Sequence, residues 1–320
     1  MNNKKAIIFG GTGFIGRQIV KKLAQRGYTI GVVSRYAERV LPLKPFGFVG
    51  QIAPAPYPVD FNAAALDTLL NGADVVINLL GILFEKGKQQ TFQKIHVDAA
   101  GAIGAAATRA KVSHFVHVSA LGASAESASV YAQTKAAGEA AVRGAYPGAV
   151  ILRPSVVFGS DDNFFNQFAR LANVLPILPL IGGGLTRFQP VYVGDVADAV
   201  IAGIENPKAA GQTYSLGGTE VLTFKAVLER MLKHTGQKAC MVRLPWTVAN
   251  FQALIFEQLP KPMLTRDQIL LLESDSIVPN GAAGLVELGI TPHTLDAILP
   301  TYLESYRKGG RWAKIKDAAA

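Results

Sequence analysis

Three glycines near the N-terminus, Gly10, Gly13 and Gly16, constrain the fold more than any other feature of this sequence. They follow a short apolar run, Lys5–Phe9, and they open an amphipathic stretch. Glycine at this spacing allows a tight turn from strand to helix and a close approach of backbone to pyrophosphate at the helix N-terminus. The pattern predicts a dinucleotide-binding turn, with a purely structural glycine turn as the alternative. The predicted ligand contacts of the turn are Gly10, Thr12, Gly13, Phe14, Ile15 and Gly16.

Short apolar runs alternate with alanine-rich amphipathic stretches over the first half of the chain. This alternation predicts a parallel sheet wound by right-handed crossovers, with helices on both faces. The predicted strands are Lys5–Phe9, Thr29–Ser34, 75–80, 115–119 and 150–153. The predicted helices are 13–26, Ala63–Leu70, 92–110, Val130–Ala145 and 162–171.

After about residue 155 the alternation ends, and segments rich in proline and glycine appear, such as 175–184. A chain of 320 residues is long enough for a domain and an additional lobe. We therefore predict an α/β fold, a Rossmann-type doubly wound parallel sheet with a smaller C-terminal lobe. Residues 1–155 are predicted to be an NADP(H)-binding Rossmann domain to which 190–220 returns, and 156–320 to be a smaller lobe that binds substrate or a partner.

The end of the second predicted strand bears on the choice between NAD and NADP. An NAD site usually has an acid there that binds the ribose hydroxyls, whereas this chain has the basic Arg35. Arg35 suits a 2′-phosphate, with Arg17 and Arg39 as further cations, and solvated surface arginines are the alternative. NADP(H) is the predicted cofactor, and NAD(H) is less favoured. Val59–Phe61 is predicted to end a third strand, and its Asp60 is predicted to bind the adenine amino group or to cap the next helix.

The charge of the chain is concentrated in the same segment. Residues 1–44 contain nine lysines and arginines and one acid, Glu38, in a chain of formal net charge +9. The resulting positive electrostatic potential favours a polyanionic ligand, with anionic lipid or an acidic protein as alternatives. No basic-aromatic motif indicates binding of nucleic acid. The single cysteine, Cys240, excludes an internal disulfide and is predicted to fill the core. The histidines have no recognised metal-ligand spacing, so no metal site is predicted.

The sequence has no feature typical of secretion or of a membrane span. The N-terminus enters a strand without an apolar signal segment, and the uncharged stretch 171–186 is shorter than the roughly 20 residues of a spanning helix. A cytoplasmic location is predicted, with possible peripheral contact at the inner face of the cytoplasmic membrane, or on the matrix side in a mitochondrion. The helix predicted at 248–259 has a broad apolar face that is predicted to be core, with an interfacial helix as the alternative. The basic tail 307–314 supports the interfacial alternative, because its charges would be attracted to anionic lipid headgroups.

Several motifs carry a family resemblance. GGTGFIG at 10–16, YAQTK at 131–135, LRPSVVFG at 152–159 and VYVGDVA at 191–197 together resemble the extended or atypical short-chain dehydrogenase/reductase superfamily. VINLLG at 76–81, HVSAL at 117–121 and LTRDQ at 264–268 are similar to the branch that contains the nucleotide-binding accessory subunit of respiratory complex I. The resemblance implies further cofactor contacts from Leu80, Gly81, Ser119, Tyr131, Lys135, Pro154 and Val157.

The resemblance implies a reaction centre of Tyr131, Lys135 and Ser119. On a helix, Tyr131 and Lys135 share one face, so the ammonium lowers the pKa of the phenol and binds the nicotinamide ribose, with an exposed pair on the helix surface as the alternative. The sequence departs from active relatives at Ala120, where a serine or threonine is expected, and this loss weakens stabilisation of a hydride-transfer centre. His96 stands where many extended members have asparagine, and is predicted to be a core residue that is hydrogen-bonded to backbone.

Two functional hypotheses follow. The first is an NADPH-binding accessory protein of the complex I type, which binds NADPH mainly structurally within a respiratory or quinone-related membrane assembly. The second is a free NADP(H)-dependent oxidoreductase or epimerase that acts on a lipid-like, quinone-precursor or sugar substrate through Tyr131 and Lys135. A redox-responsive regulator that uses nucleotide binding only to set its conformation is a weaker third hypothesis.

Overall fold

A computed structural model of the protein describes residues 4–260 and 262–307. Within these residues the chain forms two compact units. The first unit comprises the described residues up to Pro154 together with Val193–Leu216 and Pro279–Thr291. The second unit comprises Ser155–Tyr192, Gly217–Val278 and the described residues from Pro292. The return of Pro279–Thr291 to the first unit was not predicted from the sequence. The assignment of a function to each domain stays a prediction.

The first unit is built on a seven-stranded sheet in the order β11-β6-β5-β4-β1-β2-β3, in which neighbouring strands are parallel. Its strands are β1 (Lys5–Phe9), β2 (Thr29–Ser34), β3 (Ile52–Pro56), β4 (Val75–Asn78), β5 (His114–Val118), β6 (Val150–Pro154) and β11 (Thr213–Leu216). Strand order reverses between β1 and β4, and ligands of such sheets bind beyond the carboxyl ends of the strands at this point. The predicted Rossmann-type α/β fold is confirmed.

Helices cover this sheet because its central strands are buried on both faces, as the continuous apolar runs of β1 and β4 require. The helices are α1 (Phe14–Gln25), α2 (Ala63–Leu70), α3 (Ala99–Arg109), α4 (Val130–Ala145) and α6 (Val193–Glu205). The sequence predicted α2 and α4 with the correct bounds. Their N-termini are capped by the side chains of Asn62 and Ser129, which accept bonds from backbone N–H groups of the first turn.

The helix predicted at 92–110 is not uniform. Residues Gln93–Asp98 form a widened π-helical turn, and α3 begins only at Ala99. Helix α4 packs directly on this turn, since a Cβ atom on Gly138 would lie 2.0 Å from the carbonyl oxygen of His96. Segments of this kind frequently occur at functional sites. The turn contains no glycine or proline that would predict it from the sequence. Its geometry depends on packing against α4, which the sequence does not show.

The third strand ends earlier than predicted. Strand β3 stops at Pro56, and Val59–Phe61 forms a 3₁₀ turn in which Asp60 has a φ of 57°. Pro58 lacks the N–H group that a continuing strand would donate. The alternative role of Asp60 as a helix cap is also wrong, because Asn62 caps α2.

The second unit consists of short strand pairs and helices. Its strands are β7 (Val157–Phe158), β8 (Ile177–Ile181), β9 (Arg187–Phe188), β10 (Val191–Tyr192), β12 (Leu222–Thr223) and β13 (Cys240–Leu244). Its helices are α5 (Phe165–Val174), α7 (Phe224–Thr235), α8 (Trp246–Phe256), α9 (Arg266–Leu272) and α10 (Leu295–Leu303). Aromatic side chains dominate its core, with Phe158, Phe165 and Phe224 almost fully buried.

Three expectations for the second unit were wrong. The helix predicted at 162–171 begins at Phe165, because the Asp162 carboxylate closes a preceding turn by accepting bonds from the N–H groups of Gly159 and Asn166. Cys240 is exposed on β13 and does not fill the core.

The third concerns α8, whose apolar face is not core. Phe251, with 65% of its surface exposed, lies with Leu254 and Ile255 on the solvent side, while Ala249 and Ala253 are buried. This placement agrees with the interfacial alternative. Beyond Arg307, the basic tail lies outside the described residues. No helix in the described part of the chain has both the length and the apolarity to cross a bilayer.

Candidate nucleotide site and reaction centre

The glycine turn joins β1 to α1 at the strand reversal. Gly10 has a φ of +80°, a conformation that favours glycine, and the Gly13 N–H group donates to its carbonyl oxygen at 3.0 Å. A Cβ atom on Gly16 would lie 2.4 Å from the same oxygen. Helix α1 begins after Gly13 without a side-chain cap, so its first N–H groups are available to an anionic ligand. Thr12, Phe14 and Ile15 are half-buried beside them.

A cavity of about 650 Å³ lies in the first unit beyond the ends of β2 and β4. It brings together four residues that were predicted as nucleotide contacts: Arg35, Asp60, Leu80 and Gly81. Tyr57 and Phe61, which meet edge to face with their centroids 5.4 Å apart, form an aromatic part of the lining. Lys94 of the π-helical turn is a further lining residue that the sequence did not indicate.

The three predicted arginines are placed differently. Arg35 lines the cavity, whereas Arg17 and Arg39 are absent from its described lining. Arg17 lies in the first turn of α1, where its backbone N–H group bonds the carbonyl of Gly13. The guanidinium carbon of Arg39 lies 4.9 Å from the ring centroid of Tyr36 in a cation–π contact. A clamp formed by all three arginines stays a prediction.

Tyr131 lies at the start of α4, against two aromatic rings from the π-helical segment. Its ring meets His96 edge to face at 5.3 Å and Phe92 at 6.0 Å between centroids. Phe92 and His96 are themselves stacked at 5.3 Å. The tyrosine ring is thus oriented by packing from the widened turn.

Hydrogen bonds define the protonation of His96. Its Nε2 atom accepts the N–H of Ile82 at 3.1 Å, so the ring proton is on Nδ1, which lies 3.1 Å from the hydroxyl of Thr134. That hydroxyl donates to the carbonyl of Val130 at 2.8 Å. Burial and the nearby charge of Lys135 lower the pKa of His96 to about 3. The predicted core role of His96, with a bond to backbone, is confirmed.

Lys135 is buried beneath the end of β5. Its Nζ atom donates to the carbonyl oxygen of Val118 at 3.0 Å. Burial lowers its pKa to about 8, and the negative charge of Glu139 opposes this shift. Glu139 is held in a two-bond pair with Arg153, at 2.9 Å to Nε and 2.6 Å to the second guanidinium nitrogen. The alternative of an exposed Tyr131–Lys135 pair is therefore wrong for Lys135.

Two buried polar atoms near Lys135 have no hydrogen-bond partner among the described residues. One is the hydroxyl oxygen of Ser119, and the other is Nε2 of His117. Because the Asn78 amide accepts from Leu80, it donates to His117 Nδ1 at 3.2 Å, which leaves the ring proton on Nε2. Buried polar atoms are normally bonded, so both are available to a ligand or to water.

The remaining predicted contacts are divided between the units. The Pro154 carbonyl accepts the N–H of Leu121 at 2.9 Å, which fixes the loop after β5 within the first unit. Val157 belongs to the second unit, on β7. Ala120 is half-buried next to Ser119 and contributes no hydroxyl. Among the described residues, no group of histidine, cysteine or acidic side chains is arranged to hold a metal ion.

A profile of the NAD dependent epimerase/dehydratase family matches residues 6–217, from the glycine turn through the Tyr131 helix to β11. The chain belongs to this family. The family assignment confirms the resemblance predicted from the motifs, and a nicotinamide dinucleotide is the cofactor class for which the family is described. Membership of the family does not distinguish NAD from NADP as the cofactor of this chain.

Two relatives and one solved structure are similar to this chain. NADH dehydrogenase (ubiquinone) 1 alpha subcomplex subunit 9, mitochondrial, from Arabidopsis thaliana is 35% identical over 317 residues, which cover 95% of this chain and 78% of the relative. Ceramide reductase from Caulobacter vibrioides is 32% identical over 238 residues, which cover 74% and 73%. The predicted similarity to the complex I branch is confirmed.

The solved structure shows the fold alone. UDP-glucuronic acid 4-epimerase from Bacillus cereus, in complex with UDP-glucuronic acid and NAD, superposes with a TM-score of 0.71 at 18% identity. The superposition covers 94% of this chain and 98% of the epimerase.

Proposed function

We propose that the protein is an NADPH-binding accessory subunit of the complex I type, in which the nucleotide serves mainly to hold the structure. The observation that carries the proposal is an intact nucleotide cradle next to a reaction centre that lacks the expected hydroxyl at Ala120. The similarity to a mitochondrial NADH dehydrogenase subunit over nearly the whole chain supports it.

The residues of the first unit fit a dinucleotide. The uncapped start of α1 suits the pyrophosphate, because its first N–H groups have no side-chain cap and Gly16 lets the helix pack closely on the glycine turn. The cavity that Arg35 and Asp60 line suits the adenosine half, with Arg35 on a 2′-phosphate. The buried hydroxyl of Ser119 suits the nicotinamide ribose or a substrate oxygen. NADP(H) is therefore the proposed form of the cofactor, ahead of NAD(H).

When bound, the nicotinamide supplies a hydride acceptor or donor. The chain's own contribution is to orient it: Lys135 offers a buried N–H donor fixed to Val118, and Tyr131 offers a phenol fixed by aromatic packing. With only Ser119 to polarise a carbonyl, we expect turnover to be slow or absent.

The first experiment is to purify the protein gently, denature it and identify the released nucleotide. Stoichiometric NADPH supports the proposal, and a protein free of any nucleotide contradicts it. Arg35→Ala is expected to weaken NADPH binding by about tenfold to a hundredfold and NADH binding much less, because a charge-assisted bond is lost. The matched control is Arg109→Ala, which removes an arginine that pairs with Asp67 on the surface.

We propose further that the protein associates with a respiratory or quinone-related membrane assembly at the cytoplasmic face of a membrane, or on the matrix side in a mitochondrion. The exposed apolar side chains of α8, Phe251, Leu254 and Ile255, suit a protein partner of such an assembly. The test is native electrophoresis of solubilised membranes. The wild-type chain is expected to migrate with NADH dehydrogenase activity, and Phe251→Ser with Ile255→Ser to release it.

The second candidate is a free NADP(H)-dependent oxidoreductase or epimerase on a lipid-like, quinone-precursor or sugar substrate. The lowered pKa of Lys135, the available Ser119 hydroxyl and the similarity to a ceramide reductase favour it. The test is oxidation of NADPH with quinones, sphingoid ketones and nucleotide sugars. Multiple turnovers that Tyr131→Phe abolishes would establish an enzyme, and a bound nucleotide that never turns over would favour the accessory role.

A further inference from the structure

A second exposed apolar feature lies in the first unit, between β2 and β3. Residues 44–50, here called the Phe48 loop, place Phe48 and Val49 at their tip. Phe48 is 83% exposed, and Val49 is fully exposed. Neighbouring large residues on the same segment, Leu41 and Phe46, are also exposed. An aromatic and a β-branched side chain in water at one loop tip favour a contact with something apolar.

The loop is held in this position by an internal clamp. The side-chain amide of Gln51 accepts the N–H of Phe48 at 2.9 Å and donates to the carbonyls of Ala24 at 2.7 Å and Tyr28 at 3.0 Å. These bonds fix the base of the loop to the end of α1. Two prolines, Pro42 and Pro45, further restrict the segment that leads into it. The tip is displayed by a defined turn.

Two cations lie in the segment that leads to the apolar tip. Lys44 is one turn away, since its carbonyl accepts the N–H of Gly47, and Arg39 lies earlier in the same 3₁₀ segment. Both side chains are exposed, and within the part of the chain that the structure describes neither is in an ion pair. Glu38 is the one acid from residue 35 to residue 51. The surface therefore suits an anionic partner with an apolar interior.

We propose that the Phe48 loop docks on an anionic phospholipid surface, with Phe48 and Val49 inserted among the headgroups and with Lys44 on the lipid phosphates. A two-residue tip is small for a protein interface, which usually buries about 800 Å² on each partner. Interfacial insertion needs only a few apolar side chains and nearby cations. Helix α8 contains no charged residue, so the lipid contact is assigned to the loop.

The inference rests on the proposed association with a membrane assembly, and it names the surface that meets the lipid. It does not depend on nucleotide binding. The nucleotide content of every protein is therefore measured separately. Failure of a wild-type protein with full nucleotide content to bind vesicles contradicts this inference and leaves the proposed nucleotide binding unaffected.

The experiment is flotation of the full-length protein with vesicles of phosphatidylcholine, alone or mixed with phosphatidylglycerol. The wild-type protein is expected to float with the anionic vesicles and to be released by high salt. Phe48→Ser with Val49→Ser is expected to lower the partition coefficient by at least about tenfold, because the apolar contribution is lost. Lys44→Gln is expected to lower it by about fivefold. The matched control, Phe251→Ser with Ile255→Ser on α8, is expected to float normally.

A direct readout of depth comes from Phe48→Trp. Its additional emission, relative to the unmodified protein, is expected to shift to shorter wavelength on anionic vesicles and to be quenched by brominated lipids. All variants retain the basic C-terminal residues, so the tail does not account for a difference between them. Normal flotation of the loop double variant, loss of flotation in the α8 control, or binding to an acidic protein in place of vesicles would each overturn the proposal.

Discussion

The glycine turn and the reaction centre lie in the same unit but are fixed by different forces. The turn is set by backbone contacts, such as the approach of Gly16 to the Gly10 carbonyl, and it contains no ionisable side chain. The reaction centre is set by buried polar groups, namely His96, Lys135 and Glu139. Steric fit fixes the first region, and desolvated hydrogen bonds fix the second.

This difference explains how binding and chemistry can separate in one fold. A substitution at the centre, such as alanine at position 120, removes one polar contact and leaves the turn and its helix N-terminus unchanged. Cofactor binding then persists when turnover is lost. The comparison predicts that the turn responds to added volume, while the centre responds to pH and to the removal of single polar atoms.

The largest expected effect is at the turn. In Gly16→Ala the new Cβ atom would lie 2.4 Å from the carbonyl oxygen of Gly10 and 2.6 Å from the Cα atom of Gly11, and both obstacles are backbone. The turn must shift, so we expect the free energy of unfolding to fall by about 3 kcal/mol and bound nucleotide to be lost. Urea denaturation and nucleotide release measure the two effects.

The matched control for added volume is Gly144→Ala in α4. A Cβ atom there meets nothing within 4 Å. A gain of about 0.5 kcal/mol is expected from helix propensity alone. Equal stability of the Gly16 and Gly144 variants would show that the turn is not fixed by steric contact.

The next effect tests the centre through Glu139. Glu139→Gln leaves Arg153 without its carboxylate partner, and a loss of about 2 kcal/mol is expected because Arg153 is partly exposed. It also removes the charge that opposes burial of Lys135, so the pKa of Lys135 should fall below about 8. Nitrogen-15 NMR of Lys135 measures this change.

The control is the surface pair of Arg26 and Glu205, with both side chains exposed. Glu205→Gln should change stability by less than about 0.5 kcal/mol. If Glu139→Gln has an effect as small as this, the buried pair does not support the centre.

The two regions also differ in how far the sequence predicts them. Gly10, Gly13 and Gly16 announce the turn because the contact involves residues close in the chain, and the alternation of strands and helices follows from local hydrophobic patterns. Arg35, Asp60, Leu80 and Gly81 were predicted as nucleotide contacts, and the structure places them around one cavity. That they bind nucleotide remains a prediction.

The local structure around the reaction centre could not be predicted from the sequence. The π-helical turn depends on the close approach of Gly138 to His96, residues that are distant in the chain. The bond between His96 and Thr134 depends on the same packing, as does the presence of Lys94 in the cavity lining. The helix N-terminus at Phe165 was missed because the Asp162 carboxylate closes the preceding turn and is held there by a long-range bond from the Tyr302 hydroxyl.

A smaller effect is expected from pH. The pKa of His96 is about 3 in the folded protein, below its ordinary value of 6.5, so the unfolded chain binds a proton between these values and the folded chain does not. The contribution of His96 to the free energy of unfolding is therefore complete above pH 6.5. On acidification below that pH, this contribution falls by about 1.4 kcal/mol per pH unit. Burial lowers the pKa of His117 as well, which adds in the same direction.

His96→Asn should remove its share of this slope. Urea denaturation of wild type and variant at pH 7 and pH 5 measures the difference, and glycine-turn variants should retain the wild-type slope. Parallel pH dependence in wild type and His96→Asn would mean that the pKa of His96 in the folded protein lies near its ordinary value.

The smallest expected effect concerns one hydroxyl. Thr134→Val keeps the shape of the side chain but removes the oxygen that accepts the Nδ1 proton of His96 and donates to Val130. The buried N–H group loses its partner, so we expect a cost of about 1 kcal/mol and a partial change of the His96 tautomer in nitrogen-15 NMR spectra. Thr134→Ser should restore both. His96 is hydrogen-bonded to Thr134 and contacts the Tyr131 ring, so a double-mutant cycle of Thr134→Val with His96→Asn should show coupling. A cycle of Thr134→Val with Gly16→Ala should be additive. Additivity in the first cycle would contradict a hydrogen-bonded centre, and coupling in the second would contradict its separation from the turn.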